Sequence, residues 1–198
     1  MSSLVNSVIH NWRNYKKNAV ILDTEITSLD ELGEVIEVCV IDVKGNVLFE
    51  SLVRPVNGVS REAYKVHGIS EDDLLHAPHF DQIYSQLEHV LTNRNVIAYN
   101  CKFDRRLLDQ TARIYDLRGA SQFQCNWLCA MESYADFKKT PHPERRGYRW
   151  HSLKNAASQL GIELPTTLHR ARADAQLTLD VIEAAYAALT NQTAGEPV

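Results

Sequence analysis

Five residues of this chain have side chains suited to holding hard cations and moving a proton: Asp23 and Glu25, then Asp104, then His169 and Asp174. Their settings set them apart from scattered acids. Asp23-Thr24-Glu25 ends the apolar run Ala19-Val20-Ile21-Leu22, Asp104 closes Asn100-Cys101-Lys102-Phe103-Asp104, and His169 stands five residues before Asp174 at a helix start. The run 19–22 reads as a buried strand, short and rich in branched residues. Side chains two apart on a strand share a face, so Asp23 and Glu25 project together, about 7 Å apart along the chain by the rise per residue. Burying two carboxylates is costly without a positive partner. No Lys or Arg lies between residues 18 and 43, so the local sequence offers no counter-ion and a metal would serve. Oxygen ligands of this kind favour Mg²⁺ or Mn²⁺. Histidine is the side chain best suited to take a proton near neutral pH.

The spacing of His169 and Asp174 constrains the local structure. Residues five apart on a regular helix point about 140° from each other. His169 must therefore precede the helix that carries Asp174. Leu164-Pro165-Thr166-Thr167 supplies the break, leaving His169 on a mobile approach and Asp174 fixed on the helix.

The elements that position these residues can be placed in order. A polar-faced helix or arm is expected over 2–17, with Leu4, Val8 and Trp12 forming an apolar stripe, and the first strand over about 18–23. Strands at 35–41 and 47–53 flank Lys44-Gly45-Asn46, whose composition suits a tight hairpin, which makes a three-strand antiparallel meander. Ser70-Glu71-Asp72-Asp73 reads as a helix start in which the acids serve as cap and dipole partners rather than metal ligands. A helix follows at 80–91, a strand at 96–99, a helix through Asp104 to about 115, and a strand near 122–125 before another helix. Strands leading into helices imply parallel pairing with crossovers. Helices near 150–160 and 171–189 close the chain, ahead of a frayed Gly/Pro/Thr-rich end.

Composition bounds the rest. The 198 residues suit one domain with a real core. No apolar stretch is long enough to span a bilayer, and the N-terminus lacks the order of a secretory signal, so a cytoplasmic protein without membrane contact is expected. Cys39, Cys101, Cys125 and Cys129 form no C-x-x-C pair and read as reduced thiols, mostly buried. The formal charge of −4 argues against the broad basic surface of an avid duplex binder.

Taken together and in order, the motifs resemble those of the DEDDh group of 3′ to 5′ exonucleases, the DnaQ-like family, over about residues 18–188. Asp23-Thr24-Glu25-Ile26-Thr27-Ser28-Leu29 is similar to that family's D-T-E-T-T-G-L, and Val66-His67-Gly68-Ile69-Ser70 to H-G-I-[TS]. Asn100 to Asp104 is similar to N-x-x-F-D, and His169-Arg170-Ala171-Arg172-Ala173-Asp174-Ala175 to H-x-A-x-x-D-A. Two departures occur: Ile26 stands where threonine is usual, and Ser28 where glycine is usual. The second falls at a turn beside the nucleotide pocket, so it bears on substrate preference more than on chemistry.

The resemblance implies an α/β, ribonuclease H-like mixed sheet flanked by helices, with the exonuclease domain at 18–188, between the helical arm at 1–17 and the flexible tail at 189–198 read from the sequence. It implies two Mg²⁺ ions, replaceable by Mn²⁺, about 4 Å apart, which acidify the attacking water and stabilise the leaving oxygen. Asp23, Glu25, Asp104 and Asp174 would be the metal ligands and His169 the general base. Glu25 doubles as a catalytic residue by serving the metal that holds the nucleophile. Leu29 and Phe103 match positions packing on the terminal nucleotide, with Thr24, His67 and Asn100 as further substrate contacts.

The segment from Lys138 to His151 is basic and aromatic: Lys138, Lys139, Arg145, Arg146 and Arg149 accompany Tyr148 and Trp150, against the single acid Glu144. It is suited to lead a single strand toward the metals, as well as to a solvated loop anchored by Trp150. Arg105, Arg106, Arg113 and Arg118 read as a solvent face. The expected activity is release of nucleoside 5′-monophosphates from single-stranded or frayed DNA 3′ ends. Trimming of RNA 3′ ends and a non-catalytic role in a polymerase or nuclease complex are the alternatives. The partners implied are nucleic acid 3′ ends and a homodimer mate or polymerase.

Overall fold

The computed structural model describes residues 7–144, 146–166 and 169–194, the side chains of 192–194 excepted. Five strands, β1 (Ala19–Ile26), β2 (Val35–Asp42), β3 (Val47–Leu52), β4 (Asn95–Ala98) and β5 (Asn126–Cys129), form one sheet in the order β3-β2-β1-β4-β5. The β1–β2 and β2–β3 pairs are antiparallel, and the β1–β4 and β4–β5 pairs parallel. The sheet is thus the expected meander joined to a parallel half, with β1 central. Gly45, at φ +80°, closes the β2–β3 turn in the left-handed region that the hairpin requires.

Strand residues alternate between two cores. Ala19, Ile21, Cys39, Ile41 and Ile97 face one layer of helices, while Val20, Leu22, Val38, Val40 and Val96 face the other. The helices are α1 (Trp12–Tyr15), α2 (Arg61–His67), α3 (Glu71–Leu74), α4 (Phe80–Leu91), α5 (Cys101–Ile114), α6 (Ala130–Lys138), α7 (Leu153–Gln159) and α8 (Ala171–Ala194). α8 lies across β1 and β2. Its buried Ala171 and Ala175, one turn apart, allow close approach to the odd-numbered face, while α4 and α5 cover the even-numbered one. Ser70 and Asp73 form the expected reciprocal cap of α3.

Several expectations are corrected. The strand placed near 122–125 is a 3₁₀ turn at Ala120–Gln122, and β5 begins at Asn126. The reason is pairing: Trp127 and Leu128 match Val96 and Ile97 of β4, while Phe123 packs edge-on against Tyr84 with ring centroids 5.6 Å apart. α8 continues to Ala194 rather than fraying from 189, because no Gly or Pro interrupts it before Gly195 and Leu189 still packs on the core. Residues 195–198 of the expected tail lie outside the described residues. α2 was not anticipated; Ser60 caps it by accepting the Ala63 N–H at 3.1 Å, and Gly68 ends it at φ +70°.

Among the described residues of 2–17, from Ser7 onward, helix is confined to the one turn of α1, and Leu4 lies outside the described residues. Val8, Ile9 and Trp12 are buried against α6 and α8. Ser7 and the Ile9 N–H both engage the Ser133 hydroxyl at 2.8 Å. This segment therefore completes a core. Trp12→Ala is expected to cost about 3–5 kcal/mol of unfolding free energy in urea titration, whereas a free docking arm would lose almost nothing.

Candidate active site

β4 pairs with β1 only over Ala19–Ile21, after which the chain leaves into α5. The far end of β1 is therefore open on one side, at the point where the sheet changes from antiparallel to parallel. Such crevices at strand carboxyl ends are where α/β sheets bind ligands. Asp23 and Glu25 stand on the odd-numbered face there, beneath the start of α8. Ligand oxygens of Asp23, Glu25 and Asp174 all lie within 4.8 Å of one another. Asp104 reaches the same end from α5, on the opposite face, and its carboxylate accepts the Thr24 hydroxyl at 2.9 Å. His169 precedes α8, as its spacing required, with Nδ1 3.9 Å from Asp174 Oδ2.

The electrostatics record this crowding. Burial, then Asp104, Glu25 and Asp174, push the Asp23 carboxyl well above the usual range. Burial, followed by the charges of Asp174, Glu37 and Asp104, raises Glu25 to about 8. Burial also lifts Asp104, to about 7, and Asp174. Asp174 Oδ1 is buried without a hydrogen-bond partner among the described residues. Clustered acids that resist ionising, and an orphaned carboxylate oxygen among them, are what a divalent cation would satisfy. The donor set fits a hard metal ion.

A cavity of about 540 Å³ adjoins the acids, and its lining includes Thr24, Glu25, Ile26, Leu29, Val66, His67 and Phe103. Of the expected substrate contacts, Thr24, Leu29, His67 and Phe103 meet here. Asn100 does not: it is exposed at the start of α5, where its carbonyl accepts the Phe103 N–H at 2.8 Å. His67 is occupied by the scaffold. The Ile69 N–H donates to its Nδ1 at 2.9 Å, which puts the ring proton on Nε2, donated to the Ile26 carbonyl at 3.2 Å. Burial lowers its pKa, in keeping with this neutral tautomer.

The loop after β1 is tightly closed. Ser28 Oγ donates to Asp30 at 2.8 Å, and the same carboxylate oxygen takes the Leu32 N–H at 2.9 Å. Gln110 of α5 donates to the carbonyls of Gly33 and Asp30 at 2.7 and 3.1 Å. A Cβ at Gly33 would sit 2.2 Å from the Ser28 carbonyl, so only glycine lets the loop fold back. Leu29 is left 76% exposed at the cavity mouth.

One pair was missed by sequence reasoning. Glu37, the direct cross-strand partner of Glu25, is buried and receives Arg170 in a two-pronged contact, Nη2 to Oε1 at 2.6 Å and Nε to both oxygens at 3.1 Å. Its Oε2 also accepts the Ala171 N–H at 2.8 Å. The signal available was an acid interrupting the buried strand Val35-Ile36-Glu37-Val38.

The family model described as Exonuclease matches residues 20–182. The chain belongs to this exonuclease family, and its motifs are similar to those of the family's DEDDh, DnaQ-like group. It is 34% identical to an uncharacterized exonuclease, CP81, of Escherichia phage 186, over 83% of this chain and 86% of that one. It is 25% identical to the DNA polymerase III subunit epsilon of Pasteurella multocida, over 85% and 68% of the two chains. In fold it is similar to the nuclease domain of 3′hExo, a DEDDh family member solved bound to rAMP, at a TM-score of 0.69, 19% identity, and coverage of 90% and 94%. Two other 3′-exonuclease chains of this fold are longer, and the chain spans 62% and 65% of them. The ribonuclease H-like fold and nuclease class of this family member are thereby established. The family uses divalent metals, and this member has the acids to hold them. Among the described residues no helix is long and apolar enough to cross a membrane.

The raised carboxyls set a pH dependence. Between 4.5, the ordinary value for Glu25, and about 8 the folded protein holds a proton that the unfolded chain has released, so folding stability falls as pH rises through this window. In chelator, the melting temperature is expected to be lower at pH 8 than at pH 5. Adding Mn²⁺ or Mg²⁺ at pH 8 should recover the loss in wild type but not in Asp23→Asn/Asp174→Asn.

Proposed function

We propose that this chain is a 3′ to 5′ exonuclease that hydrolyses the terminal phosphodiester of single-stranded or frayed DNA and releases nucleoside 5′-monophosphates. The observation that carries the reading is the convergence of four carboxylates and a histidine at the open end of β1, where Glu25 also lines a nucleotide-sized, largely apolar cavity. Asp23, Glu25 and Asp174 would hold the divalent ions from one face of β1 and Asp104 from the other. When bound, such ions neutralise the phosphate and favour both attack and departure of the oxygens. Leu29, Ile26, Val66 and Phe103 give the terminal base an apolar seat, and Thr24 and Glu25 border its sugar end. His169, its side chain 55% exposed beside Asp174, takes the proton from the attacking water on the solvent side.

The basic segment supports a path for the strand. Thr140–Arg149 is a hairpin, bridged at Pro141 and Tyr148 and closed by the Arg149 N–H to the Thr140 carbonyl at 2.8 Å. Its base is tied to the catalytic end of β4 through the Tyr99 hydroxyl, which donates to the His151 carbonyl at 2.9 Å. Tyr148 and Trp150 are exposed there beside Arg146 and Arg149; Arg145 lies outside the described residues. Rings and cations so placed suit stacking on bases and contact with phosphates, without readout of base edges.

DNA is favoured because an epsilon subunit of DNA polymerase III is among the sequence relatives. The similar fold bound to rAMP supports an exoribonuclease as the second reading. A non-catalytic subunit would have been free to lose one of the five reactive side chains, and all five are retained.

The test uses 5′-labelled single-stranded DNA and RNA of matched sequence with Mg²⁺, Mn²⁺ or chelator. A ladder shortening from the 3′ end, faster on DNA, is expected. Chelator should abolish it and Asp23→Ala should slow it more than ~100-fold, since even outer partners of metal ligands cost ~10–100-fold. Binding without cleavage under any metal would reject the enzyme reading. Separately, Arg146→Ala/Arg149→Ala should raise KM with kcat nearly unchanged, and flatten the salt dependence of single-strand binding by about 1–2 in log–log slope, at about 0.7 per phosphate contact.

A further inference from the structure

The contact between Glu37 and Arg170 lies one residue from His169, and its geometry goes beyond that of an ordinary surface ion pair. His169 has φ +61°, in the left-handed region that is uncommon for residues other than glycine. On its far side, Thr167 and Leu168 fall outside the described residues. On its near side the chain is pinned at once: Arg170 by three hydrogen bonds to Glu37, and Ala171 by its N–H to the same carboxylate. Glu37 is itself fixed, since it is buried in β2 opposite Glu25. From Arg170 the helix carries on to Asp174, whose N–H donates to the Arg170 carbonyl at 3.0 Å and whose Oδ2 lies 3.9 Å from the His169 Nδ1. The expected mobile approach to α8 is thus anchored at its last step.

We infer that Glu37 and Arg170 form a positioning clamp, which fixes the left-handed turn at His169 and so holds the imidazole beside Asp174. This rests on the exonuclease reading for its kinetic consequence. Released from the clamp, residue 169 would relax to negative φ and carry the ring away from the metal-binding acids. Arg170 also offsets part of the charge that Glu37 adds beside Glu25. Neither residue touches substrate in this account. Both act through His169, as outer partners act on the groups they orient.

Arg170→Ala, Arg170→Lys and Glu37→Gln are compared with wild type, alone and with His169→Ala. Arg170→Ala is expected to lower kcat ~10–100-fold with KM little changed. Arg170→Lys should recover only part, because an ammonium cannot make the two-pronged contact. Glu37→Gln keeps the shape of the acceptor and guards against simple misfolding; it should lose kcat in the same direction. In the His169→Ala background, Arg170→Ala should cost less than about twofold more, since residues acting as a unit are not additive. Losses that multiply would overturn the clamp. Amide hydrogen exchange in metal-free protein gives a reading independent of activity. The His169 and Ala171 amides should exchange at least ~10-fold faster in Arg170→Ala, with β1 unchanged. If wild type cleaves neither DNA nor RNA but exchange quickens as expected, the clamp stands and the exonuclease reading falls. If wild type is active while kcat and exchange are both untouched by Arg170→Ala, the clamp falls and the exonuclease reading stands.

Discussion

Like charges forced together at the open end of β1 dominate the design of this molecule. The crowding arises from topology: β4 leaves β1 after three paired residues, so the last acids of the central strand face a gap rather than a neighbour. Around that gap the fold sets partial positive charge. Asp104 is the fourth residue of α5 and Asp174 the fourth of α8, so both helix N-termini open toward the cluster. Arg170 provides the full charge that the segment between residues 18 and 43 lacks. These groups moderate the repulsion without removing it, and the raised Asp23 and Glu25 carboxyls measure what is left for a metal to relieve.

The site is also a joint between two otherwise separate cores. Asp23, Glu25 and Asp174 lie on the face packed by α8, whereas Asp104 comes from α5 on the other face, where the Thr24 hydroxyl donates to it at the end of the strand. Alternation along β1 explains this division. Odd residues supply ligands to one layer, and the even residue between them tethers the ligand from the other.

Much of this was legible in the sequence because the informative features are local. Two acids after an apolar run give a shared strand face, Gly45 and Asn46 give a hairpin, and an interval of five between His169 and Asp174 excludes a common helix. What failed depended on partners distant in sequence. The place of β5 is set by its match to β4, which Trp127 and Leu128 win over Phe123. Of the two hydrogen bonds that occupy His67, the one from the Ile69 N–H is local to its own motif, whereas the one to the Ile26 carbonyl, 41 positions away, could not be read from it. Glu37 and Arg170 are separated by 133 positions, so the buried acid could be noticed but its partner could not be named.

The departure at Ser28 acquires a meaning from the loop it closes. Where glycine would leave the backbone free, the serine hydroxyl starts a chain of contacts through Asp30 to Leu32, and Gln110 holds the same loop from below. Leu29 is consequently presented as a rigid knob before any nucleotide arrives. In the proposed exonuclease, the entropy of ordering this lip would be spent during folding rather than on each encounter with a strand, favouring affinity for the terminal base at the expense of adaptability to its shape.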